Sequence, residues 1–449
     1  MTAGTGPAEG ERGAAAAPRV TAGRILGLAL PALGVLSAAP LYLLLDTAVV
    51  GRLGATALAA LAAGTTIQAM VTSQLTFLAY GTTARASRAY GRGDVRGAVI
   101  EGVQSTWVAV AVGAVITAVL QIFAGVFTRW LAPVGSVSAE AADWLRVASL
   151  SVPMLLIVQA GNGWLRGIQN TRRPLAFVLA GVIPAAASVV PLVRGLGLVG
   201  SAWANVLGST ITAACFVVQL LATSRRRRVG ARPRPSLIRR QLALGRDLIL
   251  RSLSFQVAFL SAAAVAGRIG PAELGAHQVQ LQLWNFLALV LDSLAIAAQT
   301  LVGSALGAGS VALARATGRR VIAWSTAFAA VLAAIFAVGH SAIPRLFTGD
   351  AAVLTALAGG SWWLLVLMIP FGGVVFAVDG VLLGAGDAAY LRNISIAAVG
   401  IGFLPPVWLT PVFGWGLPGV WWGLTCFILV RLLFVAWRFR GEAWARRTG

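Results

Sequence analysis

The sequence predicts an all-α polytopic membrane protein of twelve transmembrane helices in two six-helix repeats, and three observations carry that expectation. With 58% hydrophobic residues, 11% charged residues and a mean hydropathy of +0.84 over 449 residues, a soluble fold has no way to hide the apolar surface. The apolar stretches run about 20 to 30 residues, which suits helices rather than the alternating ten-residue strands of a barrel. The third observation is a register of similar residues that recurs about 216 positions further along the chain.

Breaks at Arg, Gly and Pro clusters leave apolar segments near 24–51, 57–84, 97–127, 141–168, 174–195 and 198–222. After the basic stretch SRRRRVGARPRPSLIRR (Ser224 to Arg240) come six more, near 244–268, 274–306, 311–340, 353–384, 390–412 and 416–438. The expected organisation is a disordered cytoplasmic tail over 1–22, a first lobe over 23–223, a basic cytoplasmic linker over 224–241, a second lobe over 242–438 and a cytoplasmic tail over 439–449. Residues 1–20 are Ala, Gly, Pro and charge, without the apolar core of a signal peptide.

All 35 basic residues are Arg, and the net charge is +21. They sit between apolar runs: 27 lie in the connections that include both termini, five in the alternate set, and Arg146, Arg251 and Arg431 lie within or at the ends of spans. That asymmetry predicts a multi-pass cell-membrane protein with both termini and the central linker cytoplasmic. Such spacing signals orientation in a lipid bilayer rather than binding to nucleic acid. The absence of Lys excludes a phosphate-binding loop ending in Gly-Lys-Ser/Thr, a Schiff base and a Lys general base. Cys215 and Cys426 lie in apolar segments and His277 and His340 are far apart, so neither a metal site, a disulfide nor another cofactor is expected.

An offset of 216 places VVGRLGATALAA (Val49 to Ala60) on VAGRIGPAELGA (Val265 to Ala276), and Gly91 and Gly93 on Gly307 and Gly309. An offset of 217 pairs Pro153, Gly163, Leu165 and Gly167 with Pro370, Gly380, Leu382 and Gly384; 219 pairs GLGLVGSAW (Gly195 to Trp203) with GWGLPGVWW (Gly414 to Trp422). Six spans per repeat is an even number, so both copies enter the membrane in the same sense. Parallel repeats of this kind belong to alternating-access transporters with a binding site between the halves.

The copies differ where chemistry is expected. Asp46, inside LYLLLDTAVV (Leu41 to Val50), falls on Ala262, while Asp292 of the eighth span falls on Thr76. A carboxylate at bilayer depth costs roughly 2.5–3.5 kcal/mol, so each is a functional candidate. Asp46 reads as a protonatable or cation-binding site, with a structural acid as the alternative. Asp379 is a weaker candidate, placed near a loop where charge is cheap. At about 100° per residue, Gln278, Gln282, Asn285, Asp292 and Gln299 share one face of the eighth helix. Thr65, Gln68, Thr72, Thr76 and Thr83 form a second stripe on the second helix. Two stripes on equivalent helices read as walls of a wet cavity, or else as interhelical hydrogen bonding. Pro31 and Pro40 precede Asp46 and each removes an internal hydrogen bond, which makes the first helix a candidate hinge; Pro184 and Pro191 do the same in the fifth span.

LALPALGVLSAAPLYLLLDTAVVGRLGATALAALA (Leu28 to Ala62) resembles the first span and following loop of the multidrug and toxic compound extrusion (MATE) transporters, in their DinF-like (DNA-damage-inducible protein F) branch. AHQVQLQLWNFLALVLDSLAIAAQTLVG (Ala276 to Gly303), RGIQNTRRPL (Arg166 to Leu175) and LLGAGDAAYLRN (Leu382 to Asn393) carry the same resemblance. It implies two six-helix bundles forming a V, and export of amphipathic, often cationic compounds in exchange for protons or sodium ions. It also implies that Asp46 matches a protonated first-helix acid and that Asn205 occupies a polar sixth-helix position. Archaeal members pair that acid with Asn and Asp on the fifth helix, where AGVIPAAASVVPLV (Ala180 to Val193) supplies only Ser188.

The function expected is that of a secondary antiporter, not an enzyme, working as a monomer on a small drug-like substrate. Asp46 is expected to couple it to protons. Gln278, Gln282, Asn285, Asp292, Gln299, Thr72, Thr76 and Asn205 are expected to line the cavity. Sodium is less favoured because one carboxylate with few helpers makes a poor oxygen cage. A lipid-linked saccharide flippase of the same superfamily is the other reading; it fits less well with twelve spans and with Arg confined largely to loops and span ends.

Overall fold

The computed structural model describes residues 21–445 and is helical throughout, with no strand among the described residues. The proposed tail over 1–22 therefore lies almost wholly outside the described residues, as do residues 446–449. Among the described residues eleven helices are long and apolar enough to cross a membrane, and a bent pair, taken as one span, brings the number to twelve. Spans one to six are Ala22–Leu53, Ala55–Gly91, Val95–Leu131, the pair Gly135–Ser149 and Val152–Gly167, Arg172–Leu196 and Leu198–Arg226. Spans seven to twelve are Pro235–Ile269, Pro271–Gly307, Val311–Val338, Ser361–Gly384, Ala388–Phe413 and Gly416–Arg440.

Two boundaries differ from the sequence reading. Helix runs to Arg226 and resumes at Pro235, so only residues 227–234 of the basic stretch are non-helical. Pro at the first helical position has no N–H to lose, and a helix starts there readily. At the other end the chain stays packed past 438: Trp444 stacks on Phe439 at 5.5 Å and donates its indole N–H to the Phe439 carbonyl.

Breaks inside the spans have identifiable causes. The fourth span bends by 44° between Ser149 and Val152, ahead of Pro153. Polar groups at the break are bonded by side chains of neighbouring spans: Thr117 donates to Ser149 O, Gln121 to Arg146 O, and Gln68 to Ser151 Oγ and Ala148 O. The second span tightens into a 3-10 turn over Gln74–Thr76, and the eleventh loosens into a π stretch over Ala398–Phe403. The first span, by contrast, is one uninterrupted helix from Ala22 to Val50 with Pro31 and Pro40 inside it.

Each lobe packs its own six spans, and the lobes meet chiefly through the second halves of spans two and eight, with the first span also against the eighth. Glycine makes that approach possible. A Cβ on Gly91 would lie 1.9 Å from the Ser304 carbonyl oxygen, and one on Gly307 2.2 Å from that of Arg88. The closed end is the one bearing the Arg-rich connections. Toward the other end the second span's Ala55–Ser73 segment packs within its own lobe, and its one hydrogen bond to the second lobe among the described residues is from Gln256 to Ser73 at 3.5 Å. The result is a V open at one end.

Candidate functional site

Asp46 sits near the end of the first helix and is 2% exposed. Its Oδ2 accepts the Ser201 hydroxyl, from the first turns of the sixth span, at 2.9 Å. Trp144 of the fourth span donates its indole N–H to Ser201 Oγ at 3.1 Å. An indole nitrogen only donates, so Ser201 accepts from Trp144 and its own proton is free for Asp46. The chain of bonds therefore runs one way and presents a donor to the carboxylate. Asp46 Oδ1 and the nearby Tyr42 hydroxyl, one turn earlier, are buried without a partner. Trp144 reaches this place because Gly64 has no side chain: a Cβ there would lie 2.5 Å from the ring.

Ser201 and Trp144 were not among the residues singled out in the sequence, although a signal exists. At the offset of 219, Ser201 falls on Val420, the same polar-to-apolar change between lobes that separates Asp46 from Ala262. Asn205 is half-buried one turn further along the sixth span, and Ser188 donates to Ala185 O of its own helix.

The stripe on the eighth span grades from open to closed. Gln278, Gln282 and Asn285 are exposed, Asp292 is half-buried, and Gln299 is buried, donating to the Tyr80 carbonyl across the lobe boundary at 2.7 Å. Asp292 Oδ2 accepts the Tyr80 hydroxyl, also from the other lobe, at 2.6 Å. Thr72 and Thr76 are half-buried with their hydroxyls on carbonyls of their own helix, Gln68 O and Ser73 O. Thr65 and Thr83 bond likewise, and Gln68 turns inward to the break in the fourth span.

Two arginines of the spans are buried, Arg166 in the last turn of its helix and Arg431 within the twelfth span. Arg166 is 4% exposed and Arg431 3% exposed. Asp379, expected near a loop where charge is cheap, is itself 4% exposed. Its Oδ2 accepts from Arg251 at 2.5 Å and also from Arg431, and both guanidiniums lie over the Phe255 ring. Counting residues to the end of a helix misjudged this acid, because three spans close over it. At the corresponding place in the first lobe stands the neutral Asn162, at an offset of 217.

The sequence profile of the MatE family matches residues 31–192 and 248–408, so the second match begins 217 residues after the first, in register with the internal repeat. The chain is 28% identical over 438 residues to Protein DETOXIFICATION 44, chloroplastic, of Arabidopsis thaliana, covering 92% of this chain and 81% of that one. It is 28% identical over 433 residues to DNA damage-inducible protein F of Escherichia coli (strain K12), covering 94% and 93%. A solved structure described as MATE in the bent conformation superposes with a TM-score of 0.84 at 21% identity, covering 94% of this chain and 95% of that chain. With both repeats matched and the two-lobed fold shared, the chain belongs to the MatE family of multidrug efflux transporters, which move small molecules across membranes and are not enzymes.

Proposed function

We propose that the chain exports amphipathic small molecules, cationic ones among them, in exchange for protons by alternating access, as a monomer in the cell membrane with both termini cytoplasmic. The orientation rests on the Arg asymmetry. Asp46 carries the coupling proton, and Gln278, Gln282 and Asn285 offer neutral polar groups to a substrate in the open V, with Asp292 below them and Thr72, Thr76 and Asn205 on the first lobe.

The observation that carries this reading is the setting of Asp46. It is a carboxylate enclosed in the first lobe, hydrogen-bonded by one serine hydroxyl and left with a bare second oxygen. One carboxylate and one hydroxyl suit a proton and fall short of the several oxygens a sodium ion takes. Half-buried Arg251 and buried Arg431 are bonded to Asp379, which leaves them poorly placed for a pyrophosphate and keeps the flippase reading second.

The test is efflux from proteoliposomes under an imposed pH gradient with sodium absent. Drug export that follows the gradient supports proton antiport. Export that requires sodium and ignores the pH gradient contradicts it.

A further inference from the structure

Asp292 stands where the open V ends and the closed seam begins. On the open side of it Gln278, Gln282 and Asn285 of the eighth span are exposed, and on the other side Ser293 to Gly303 are buried. Tyr80 of the opposite lobe is gripped twice there. Its hydroxyl donates to Asp292 Oδ2 at 2.6 Å and its carbonyl accepts from Gln299 at 2.7 Å.

The charges around Asp292 come from both lobes. Arg166 on the fourth span, Arg251 on the seventh and Asp379 on the tenth act on it electrostatically; the charged residues of spans one and nine, also packed against the eighth, Asp46 included, are not among the groups that act on it. Arg431 reaches the group only through Asp379. Arg166 donates no side-chain hydrogen bond among the described residues, and its buried Nε has no partner. Asp292 thus has one guanidinium from each lobe among the charged groups acting on it.

We propose that Asp292 is a second coupling acid: charged, it holds the Arg-rich ends of the lobes together through Tyr80, and protonated, it lets them part. The charged carboxylate makes the stronger bond to Tyr80, because ionised acceptors form hydrogen bonds roughly twice as strong as neutral ones. A proton on Asp292 also removes a negative charge shared by Arg166 of one lobe and Arg251 of the other, the latter keeping its bond to Asp379. The inference rests on the antiport reading for its direction: a proton arriving from the open end loosens the closed end, the order an antiporter needs. Asp46 is badly placed for this step, since Ser201 belongs to its own lobe.

The experiment measures a distance, with no substrate and no gradient. Spin labels are placed at Arg92→Cys and Ala308→Cys, exposed positions just beyond spans two and eight, in a Cys215→Ser, Cys426→Ser background. Pulsed dipolar spectroscopy on the reconstituted chain is read at pH 8 and pH 5. The parent shifts from a short distance at pH 8 toward a longer one at pH 5. Asp292→Asn shows the longer distance at both, and Tyr80→Phe, which keeps the ring, shows a substantial long-distance fraction already at pH 8. If Tyr80→Phe and Asp292→Asn both keep the parent's distances and its pH response, the inference is overturned. A pH response that persists in Asp292→Asn and vanishes in Asp46→Asn also overturns it, while leaving proton antiport standing.

Discussion

Gly91 and Ser304 meet backbone to backbone across the lobe seam, and the repeat supplies the same contact in reverse. Gly307, 216 positions after Gly91, faces Arg88, 216 positions before Ser304. Neighbouring contacts extend the seam: a Cβ on Gly303 would lie 2.1 Å from Ser87 Oγ, and Arg88 donates to the Ala385 carbonyl in the loop after the tenth span. A pseudo-two-fold seam of this sort either closes on both pairs or on neither.

Gly91→Val or Gly307→Val should therefore hold the seam apart. The expected outcome is a several-fold rise in labelling of Ser87→Cys, fully buried in the parent, by a water-soluble maleimide, with export abolished and the protein still monodisperse. Labelling at the parent's rate would mean that the glycines are not what lets the seam close.

Ser201→Ala removes the one hydrogen bond to the Asp46 carboxylate among the described residues, a bond that favours its charged form. A bond to a charged group contributes about 1.5–3 kcal/mol, and 1.36 kcal/mol corresponds to one pH unit. The half-maximal pH of gradient-driven efflux should move upward by about one to two units, because the proton is then held more tightly. Ser201→Thr, which retains a hydroxyl, should stay near the parent. A profile unchanged in Ser201→Ala would detach Ser201 from coupling.

Asp379→Ala leaves buried Arg431 and half-buried Arg251 without their shared anion. Removing one partner of a buried ion pair costs roughly 3–5 kcal/mol, so thermal unfolding in detergent should begin well below the parent temperature. A midpoint equal to the parent's would show that water or lipid headgroups replace the acid at no cost.

Pro31 and Pro40 interrupt the hydrogen bonding of a helix that nonetheless runs unbroken to Val50. If the first helix bends when Asp46 takes a proton, the bend is cheapest where a bond is already missing. Pro31→Ala or Pro40→Ala should then reduce the movement between spans one and two seen by a distance probe at about pH 5 and pH 8, with substrate binding at fixed pH retained. Parent-like movement in both variants would remove the prolines from the coupling step.

Much of this molecule was legible in the sequence for specific reasons. Asp46 announced itself because an acid in an apolar run is costly, and the twelve spans and the repeat followed from hydropathy and a fixed offset. The offset also paired Gly91 with Gly307, though nothing in one dimension says that two glycines face each other across a seam. Ser201 passed unnoticed because a serine in a membrane helix usually bonds its own backbone, as Ser188 does. Tyr80 and Arg166 gain their meaning only from the approach of the second lobe, and position along a helix hid the enclosure of Asp379. The place of a residue along its helix was readable; pairings between lobes were not.

The central claim is that Asp46 carries the coupling proton, and the most direct test is drug efflux by Asp46→Asn in proteoliposomes under an imposed pH gradient without sodium. The amide keeps the shape of the side chain and removes its titration. The account predicts a folded, substrate-binding variant whose efflux no longer responds to the gradient. Gradient-driven efflux at the parent's rate by that variant would contradict it.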